Sequence, residues 1–188
     1  MRPSTWFLAG VGGLTGFFVL EATTRERGRA SSLDAGAEDE GTTRGIVLAY
    51  AVAGTLATTL ALSGGPRLPA IAGPTGLALQ AAGLGLRAWS MRTLGRHYSR
   101  TLQAEEAQPV VESGPYALVR HPGYAGSILI WLGFGLTTGS PAAVVIAATS
   151  LGIAYRRRIV AEERLLEREL PGYAAYRGRT ARLIPGIW

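Results

Sequence analysis

Long apolar segments separated by shorter polar ones set the pattern of this chain. Of its 188 residues, 47% are hydrophobic and only 17% are charged. Four stretches contain no charged residue, namely 3–20, 45–66, 68–86 and 122–155. A helix needs about 20 predominantly apolar residues to cross the hydrocarbon core of a bilayer. The pattern therefore predicts a series of membrane-spanning helices.

The fourth stretch is too long for one ordinary span. Near its middle it contains Thr137-Thr138-Gly139-Ser140-Pro141, a sequence that is typical of a turn. We therefore predict two helices here, over about 122–137 and 140–156, joined by a tight hairpin. With the first three stretches, this gives an all-α, polytopic integral membrane protein with about five transmembrane helices.

Glycine supports the same interpretation. The chain has 26 glycines, and two groups crowd the first and third stretches: Gly10, Gly12, Gly13 and Gly16, then Gly73, Gly76, Gly83 and Gly85. Small residues allow membrane helices to approach closely. In a soluble helix each glycine would cost about 1 kcal/mol relative to alanine. A soluble bundle of buried helices is the alternative, but soluble helices normally show a polar face.

All 19 basic residues are arginine, and their distribution predicts the orientation of the spans. With five spans, the 21–44 loop, the 87–121 loop and the C-terminal tail share one side and contain 17 of the 19 arginines. Positive charge is retained in the cytoplasm, so we predict that this side is cytoplasmic and that the N-terminus lies outside. A basic protein binds nucleic acid through a basic face. This distribution provides no such soluble face, so no nucleic-acid partner is predicted.

Two N-terminal segments, 1–20 and 22–44, are interpreted as a retained span and a flexible loop. A cleaved signal peptide over residues 1–20 is disfavoured, because no clear small-x-small cleavage site follows Leu20. We therefore predict a retained first span. The segment 22–44 is rich in Gly, Ser, Thr and mixed charge, which indicates a flexible cytoplasmic loop with no evident chemistry.

The residue types and motifs that the chain lacks exclude several kinds of site. It has no cysteine, which excludes disulfides, thiolate metal ligands and a cysteine nucleophile. With only two histidines and no His-Glu-x-x-His sequence, no metal site is predicted. It has no P-loop, no Gly-x-Gly-x-x-Gly after a strand and no Gly-x-Ser-x-Gly, so a soluble Rossmann-type nucleotide site is not encoded.

Polar residues that could carry chemistry are concentrated in 92–126 and 156–188. The first segment contains both histidines, His97 and His121. Pro122 is well placed as the first residue of a helix. Arg120 and His121 would then precede that helix, where unpaired backbone N–H groups favour an anionic ligand group. The alternative is that His121 only caps the helix at the membrane interface.

A pair of carboxylates is expected to meet this segment. Glu162 and Glu163 are predicted at the start of a charged helix after the fifth span, behind three consecutive arginines. Because the hairpin returns the chain to the side that it left, 113–122 and 156–163 would emerge next to each other and form one cytoplasmic pocket. The alternatives are a solvated carboxylate pair and an arginine anchor that contacts anionic lipids.

The residues in these segments resemble a known family. Gly114-Pro115-Tyr116, followed by Val119-Arg120-His121-Pro122-Gly123-Tyr124-Ala125-Gly126, looks like the signature of the isoprenylcysteine carboxyl methyltransferases. Membrane phospholipid N-methyltransferases have a related pattern. Further matches follow the family order and bring the resemblance to about 90–188: Leu94 to Gln103, Glu162-Glu163, Tyr173 with Tyr176, and Arg182 to Gly186.

The resemblance implies an S-adenosylmethionine-dependent methyltransferase that is embedded in the membrane. It implies one domain over 1–188, with three transmembrane helices in 1–90 and a cofactor-binding half in 91–188 that contains the two-helix hairpin. The residues implied in cofactor binding are Gln103, Gly114, Tyr116, Leu118, Val119, Arg120, His121, Pro122, Tyr124, Glu162 and Glu163. Among them, the glutamate pair would bind the charged amino end of the cofactor.

The resemblance also implies the reaction. Arg158 matches an arginine that is thought to steer the substrate carboxylate in carboxyl methyltransferases, and Glu163 is implied in catalysis with it. The expected activity is carboxyl methylation of an isoprenylcysteine-like lipophilic substrate, in the inner membrane and facing the cytoplasm. The expected partners are that substrate and membrane lipids.

Other functions remain open at this point. A lipid amine, a phenolic or isoprenoid metabolite, or a thiol are other possible methyl acceptors. Membrane reductases of the sterol type, which use NADPH, share an Arg-His-Pro-x-Tyr-like segment. They typically have more spans and a C-terminal segment with Trp and Cys that is absent here. A non-enzymatic membrane protein that kept the fold is the third possibility.

Overall fold

The computed structural model describes residues 5–23, 39–63, 65–98, 109–186 and 188. These ranges contain six α-helices: α1 Thr5–Thr23, α2 Thr42–Leu62, α3 Ala72–Leu94, α4 Pro122–Thr137, α5 Pro141–Glu169 and α6 Tyr173–Arg179. Short 3₁₀ turns occupy Gly95–His97 and Gly114–Ala117. No β-strand occurs within the described ranges, although Val119 and Ala181 form an isolated bridge. The all-α prediction is confirmed.

Two of the helices have the length and composition of a membrane span. They are α1 and α2, with 19 and 21 residues. In contrast, α4 has 16 residues, which is fewer than the roughly 20 that an ordinary span needs. Length and apolar composition alone therefore identify two candidate spans among the described helices.

The predicted hairpin between α4 and α5 is confirmed. Its turn is Thr138–Ser140, and Gly139 there has a φ of +75°, which favours glycine. The Ser140 amide donates to the Thr138 hydroxyl oxygen at 3.1 Å, and the Gly139 amide donates to the carbonyl of Leu136. These bonds tie the end of α4 to the start of α5 and direct the two helices in opposite directions.

The separate charged helix predicted after the fifth span is instead the second half of α5. This helix runs without a break for 29 residues, through the three arginines and both glutamates. Arg, Glu, Leu and Ala are strong helix formers, and no Gly or Pro interrupts them between Gly152 and Pro171. The helix ends only before Gly172, which adopts a φ of +89°.

Helix α3 extends eight residues beyond the predicted end of its apolar stretch because the charge of Arg87 is satisfied inside the bundle. Its guanidinium donates to Glu21 Oε1 at 2.5 Å, to the Gly123 carbonyl at 2.8 Å and to Ser127 Oγ at 2.7 Å. A buried charge is tolerated when it is paired and hydrogen-bonded. One arginine thus joins α1, α3 and α4.

Glycines allow α3 and α4 to pack closely. A Cβ built at Gly76 would lie 2.5 Å from the carbonyl oxygen of Gly133, and one at Gly83 would lie 2.6 Å from that of Gly126. Real Cβ atoms do not approach backbone so closely. The two glycine pairs, seven residues apart on each helix, are therefore the contact line between α3 and α4.

The remaining helices pack around this pair. Helix α1 lies against α3 and α4, whereas α2 lies against α5. The α2 face is a stripe of buried alanines, Ala49, Ala53, Ala57 and Ala61, in one apolar cluster with Ala143, Ala147 and Leu151 of α5. Successive helices run in opposite directions, so the end of α1, the start of α2, the end of α3 and the start of α4 meet beside the middle of α5.

Candidate functional site

A cavity of about 400 Å³ lies at this common end of the helices. Small-molecule sites typically range from about 300 to 1,000 Å³. All five long helices and α6 contribute to its wall. Six of the residues that the resemblance implies in catalysis or cofactor binding line it: Tyr116, Arg120, His121, Tyr124, Arg158 and Glu162.

The other sequence-predicted residues lie elsewhere. Gly114, with a φ of +59°, begins the 3₁₀ turn, and the side chain of Leu118 is 63% exposed. Val119 is buried beside Ala181, and Pro122 is buried as the first residue of α4. Gln103 lies outside the described residues.

Glu163 lies behind the cavity wall in a buried ionic cluster. Its Oε1 accepts a hydrogen bond from Arg120 Nε at 2.8 Å and lies 3.3 Å from His121 Nε2. Its Oε2 accepts from Arg182 Nε at 2.8 Å. Burial alone would raise the pKa of Glu163, but its bonds with His121 and Arg120 outweigh burial and lower the pKa to about 2. The carboxylate is therefore ionised, and it orients two residues of the cavity wall.

The segment before α4 is paired with the C-terminal segment. The amide of Arg120 donates to the Ala181 carbonyl at 2.8 Å, and the amide of His121 donates to the Arg182 carbonyl at 3.0 Å. The Arg120 guanidinium also donates to the carbonyls of Arg177 and Thr180. The chain beyond α6 therefore occupies the backbone N–H groups of Arg120 and His121, which are not available to an anionic ligand.

Glu162 faces the cavity and is bonded to an aromatic side chain. Tyr124 donates its hydroxyl to Glu162 Oε2 at 2.5 Å, and Arg158 Nε donates to the same hydroxyl at 3.2 Å. The ring of Tyr124 stacks on that of His121, with centroids 5.6 Å apart and planes 9° from parallel. The predicted proximity of the 113–122 and 156–163 segments is confirmed by these contacts and by those of Glu163.

Asp39 is a member of the site that the sequence analysis missed. It lies just before α2, in the 22–44 segment to which no chemistry was assigned. Its carboxylate accepts a hydrogen bond from Arg158 Nη1 at 2.5 Å and is 1% exposed. The available signal was an acidic residue shortly before the start of an apolar helix, where the helix dipole favours negative charge.

Tyr173 places an unsatisfied hydroxyl at the cavity. The residue lines the cavity and is buried, and its hydroxyl has no hydrogen-bond partner within the described part of the chain. Burial, with the negative charges of Glu163 and Glu162, raises its pKa above the ordinary value for tyrosine, so the hydroxyl stays protonated. A buried polar group without a partner is unfavourable, and a bound ligand would satisfy it. Nearby Tyr176 differs, because its hydroxyl donates to the Tyr116 carbonyl at 2.7 Å.

The apolar side of the cavity lies between α1 and α2. Phe17 and Phe18 of α1 and Ile46, Val47 and Tyr50 of α2 form this part of the wall. The two helices pack mainly on other elements, and Tyr50 meets Phe17 and Phe18 edge to face, with centroids 5.7 and 6.4 Å apart. Phe18 and Val47 are about half exposed on the outer surface of the bundle. The cavity therefore reaches the side of the bundle through an apolar wall.

Known proteins resemble this chain over about half of its length. The cobalt-zinc-cadmium resistance protein CzcN of Cupriavidus metallidurans is 34% identical over 105 residues, which are 55% of this chain and 49% of that protein. The nickel-cobalt-cadmium resistance protein NccN of Alcaligenes xylosoxydans xylosoxydans is 29% identical over the same shares. The chain thus spans about half the length of the curated relatives it matches.

The fold also resembles a solved membrane enzyme. The eukaryotic intramembrane Ras methyltransferase, isoprenylcysteine carboxyl methyltransferase, superimposes with a TM-score of 0.66 at 19% identity, over 96% of this chain and 65% of the other. The family model for phospholipid methyltransferase matches residues 72–171, more than half of the chain. The predicted resemblance is confirmed, and the chain belongs to the phospholipid methyltransferase family of integral membrane methyltransferases.

Proposed function

We propose that the protein transfers a methyl group from S-adenosylmethionine to a lipophilic acceptor at the membrane surface. One observation carries the proposal: the Glu162 carboxylate, the His121–Tyr124 ring stack and the unsatisfied Tyr173 hydroxyl line the same cavity as the apolar wall between α1 and α2. A cationic, polar cofactor and an apolar acceptor both find matching chemistry there.

The wall residues fit the cofactor in three ways. The Glu162 carboxylate would bind the ammonium group through charge-assisted hydrogen bonds. The faces of His121 and Tyr124 would lie beside the positive charge, which aromatic rings attract. The Tyr173 hydroxyl would donate to a polar atom of the cofactor. When bound, S-adenosylmethionine supplies a methyl group that its sulfonium already activates.

The chain's own residues would then position the reactants and exclude water, which is most of what such a transfer requires. Glu163 would act as a positioning residue, because it binds Arg120 and His121 from behind the wall. A carboxylate acceptor, such as an isoprenylcysteine, would meet Arg158 and would need no base. An amine, phenol or thiol would need a proton acceptor, and Glu162 is a carboxylate in the cavity wall that could accept the proton.

We further propose that all five helices α1–α5 cross the inner membrane, the 16-residue α4 included although it is shorter than an ordinary span, with the cavity at the cytoplasmic face. The arginine distribution supports this orientation. The same arrangement gives one domain over 1–188, with three spans before residue 90 and the cofactor-binding half after it. A lipophilic acceptor would enter from the bilayer, between α1 and α2.

Calorimetry with S-adenosylhomocysteine tests the cofactor assignment. We expect the purified protein to bind it, and we expect Glu162→Gln and His121→Ala to weaken binding at least tenfold while the protein still purifies folded. Glu167→Gln, an exposed carboxylate on the same helix, is the matched control and should leave binding unchanged. Binding of NADPH in place of S-adenosylhomocysteine would favour the reductase alternative. Transfer of labelled methyl to a membrane lipid extract would then identify the acceptor.

A further inference from the structure

Arg158 already binds a carboxylate of its own chain. Its Nη1 atom donates to Asp39 Oδ1 at 2.5 Å, and it also lies within hydrogen-bond distance of the Thr42 and Thr43 hydroxyl oxygens, at 3.1 and 3.2 Å. Asp39 and Arg158 are 1% and 3% exposed. This ion pair joins the segment before α2 to the middle of α5.

Asp39 is held firmly in this position. Its Oδ2 accepts the Thr43 backbone amide at 3.0 Å, and its Oδ1 accepts the hydroxyls of Thr42 and Thr43 at 3.0 and 2.7 Å. Burial would raise the pKa of Asp39, but these bonds and the charge of Arg158 outweigh it and lower the pKa below its ordinary value. Asp39 is therefore an ionised carboxylate that is fixed on the guanidinium.

A second carboxylate lies on the other side of the same guanidinium. Arg158 Nε donates to the Tyr124 hydroxyl, and Glu162 Oε2 lies 3.8 Å from Nε. Two negative groups thus flank one positive group, so the cluster of Asp39, Arg158 and Glu162 has a net charge of −1. A carboxylate on the acceptor would meet a guanidinium whose Nε and Nη1 donors are already bonded, and it would be repelled by both acidic residues.

We infer that Asp39 is a specificity-determining residue: it occupies Arg158 and thereby selects methyl acceptors that present no carboxylate. The inference rests on the proposed function, and it names the acceptor class for the same cavity. Asp39 supplies, from within the chain, the negative group that an acceptor carboxylate would otherwise bring to Arg158. Acceptors whose nucleophile is an amine, a phenol or a thiol carry no carboxylate for the two acidic residues to repel.

Two ligands that differ only in charge test the inference. N-acetyl-S-farnesylcysteine presents a carboxylate, and its primary carboxamide is a neutral isostere with the same tail. Binding of each to the full-length protein saturated with S-adenosylhomocysteine is measured by calorimetry. We expect the wild-type protein to bind the carboxamide at least tenfold more tightly. Asp39→Asn should increase carboxylate affinity at least tenfold and leave carboxamide affinity within twofold, which a general loss of structure would not do.

Glu167→Gln is the control. It removes a carboxylate of α5 that pairs with Arg177 at the surface and does not line the cavity. It should leave the ratio of the two affinities as in the wild type. The inference is overturned if the wild type binds the carboxylate more tightly than the carboxamide. It is also overturned if a folded Asp39→Asn protein binds the carboxylate no more tightly than the wild type, or binds neither ligand. The wild-type comparison needs no substitution and decides the matter even if Asp39→Asn does not fold. Failure of the proposed function is seen separately, as absence of S-adenosylhomocysteine binding to the wild type.

Discussion

Nε2 of His121 lies 3.3 Å from Oε1 of Glu163, although 42 positions separate the two residues in the sequence. The first immediately precedes α4 and the second lies on the second half of α5. Their contact depends on the hairpin at Gly139, which turns α5 back along α4. The cavity wall is thus built by the return of the chain to the end of the bundle that it left.

Replacing Glu163 should destabilise the fold and weaken ligand binding together. Glu163→Gln removes the negative partner of Arg120 and Arg182, which leaves buried positive charge uncompensated. Loss of one partner from a buried pair costs about 3–5 kcal/mol. We expect a loss of about 3 kcal/mol in denaturant unfolding in detergent, and at least tenfold weaker binding of S-adenosylhomocysteine because His121 and Arg120 lose their anchor.

Glu167→Gln is also the control for this comparison. Glu167 lies one turn further along α5 and binds the exposed Arg177 at the surface, where ion pairs contribute little. Both the unfolding midpoint and the ligand affinity should stay as in the wild type. Equal effects of the two substitutions would contradict a special role for the buried carboxylate.

Acid should destabilise the protein through the same carboxylate. The pKa of Glu163 is lowered from an ordinary value of 4.5 to about 2 in the fold. The stability that it contributes is therefore complete above about pH 4.5 and is lost as the pH falls towards 2. We expect the thermal midpoint of the wild type to fall between pH 5 and pH 2, and to fall less in Glu163→Gln. If the thermal midpoints of the two proteins fell equally with pH, Glu163 would not be the source of the acid sensitivity.

Two tyrosines on α6 should respond in opposite ways to loss of the hydroxyl. Tyr173→Phe removes a hydroxyl that has no partner among the described residues, so thermal stability should not fall. Its affinity for S-adenosylhomocysteine should fall about threefold to tenfold, as expected for the loss of one hydrogen bond. Tyr176→Phe removes the bond to the Tyr116 carbonyl, so it should lower stability by about 1 kcal/mol. An unchanged affinity in Tyr173→Phe would show that its hydroxyl does not contact the ligand.

The close approach of α3 and α4 predicts a strict requirement for glycine. A Cβ at Gly126 would lie 2.8 Å from the Gly83 carbonyl oxygen. Gly126→Ala should therefore force the helices apart and cost about 1–3 kcal/mol, as overpacking typically does. Gly152→Ala on α5 is the control, because a Cβ at Gly152 would meet no atom of another described element within 4 Å, and it should leave stability unchanged or slightly raised. Denaturant unfolding of both variants makes the comparison.

The helices, and the contact between two polar segments that are distant in the sequence, can be predicted because short stretches of sequence indicate each of them. The apolar stretches predict α1 and α2, and Gly139 predicts the turn of the hairpin. The Arg120-His121-Pro122 segment and Glu162-Glu163 are recognisable as motifs, and the hairpin dictates that they lie side by side.

The remaining features depend on pairings between distant residues, which local signals do not reveal. Arg87 interrupts an apolar stretch, and its buried charge is compensated by Glu21, by two oxygens of α4 and by the Tyr98 hydroxyl, all distant in the sequence or beyond the helix itself. Asp39 lies in a segment of unremarkable polar composition, and its role exists only through Arg158. The backbone of Arg120 and His121 is occupied by the 181–182 segment, a pairing that sequence spacing does not encode.

Because α5 is unbroken, its length fixes the distance between the α4–α5 turn and the cavity residues that α5 carries. Its 29 residues make a rod about 44 Å long, whereas the hydrocarbon core of a bilayer is about 30 Å thick. A single inserted residue after Gly152 would rotate everything beyond it by about 100° and carry Glu162 out of register with Tyr124. Insertion of four residues would leave the facing only about 40° off but displace the carboxylate by about 6 Å along the axis. The number of residues in α5 therefore sets both the depth and the orientation at which Glu162 meets the cavity.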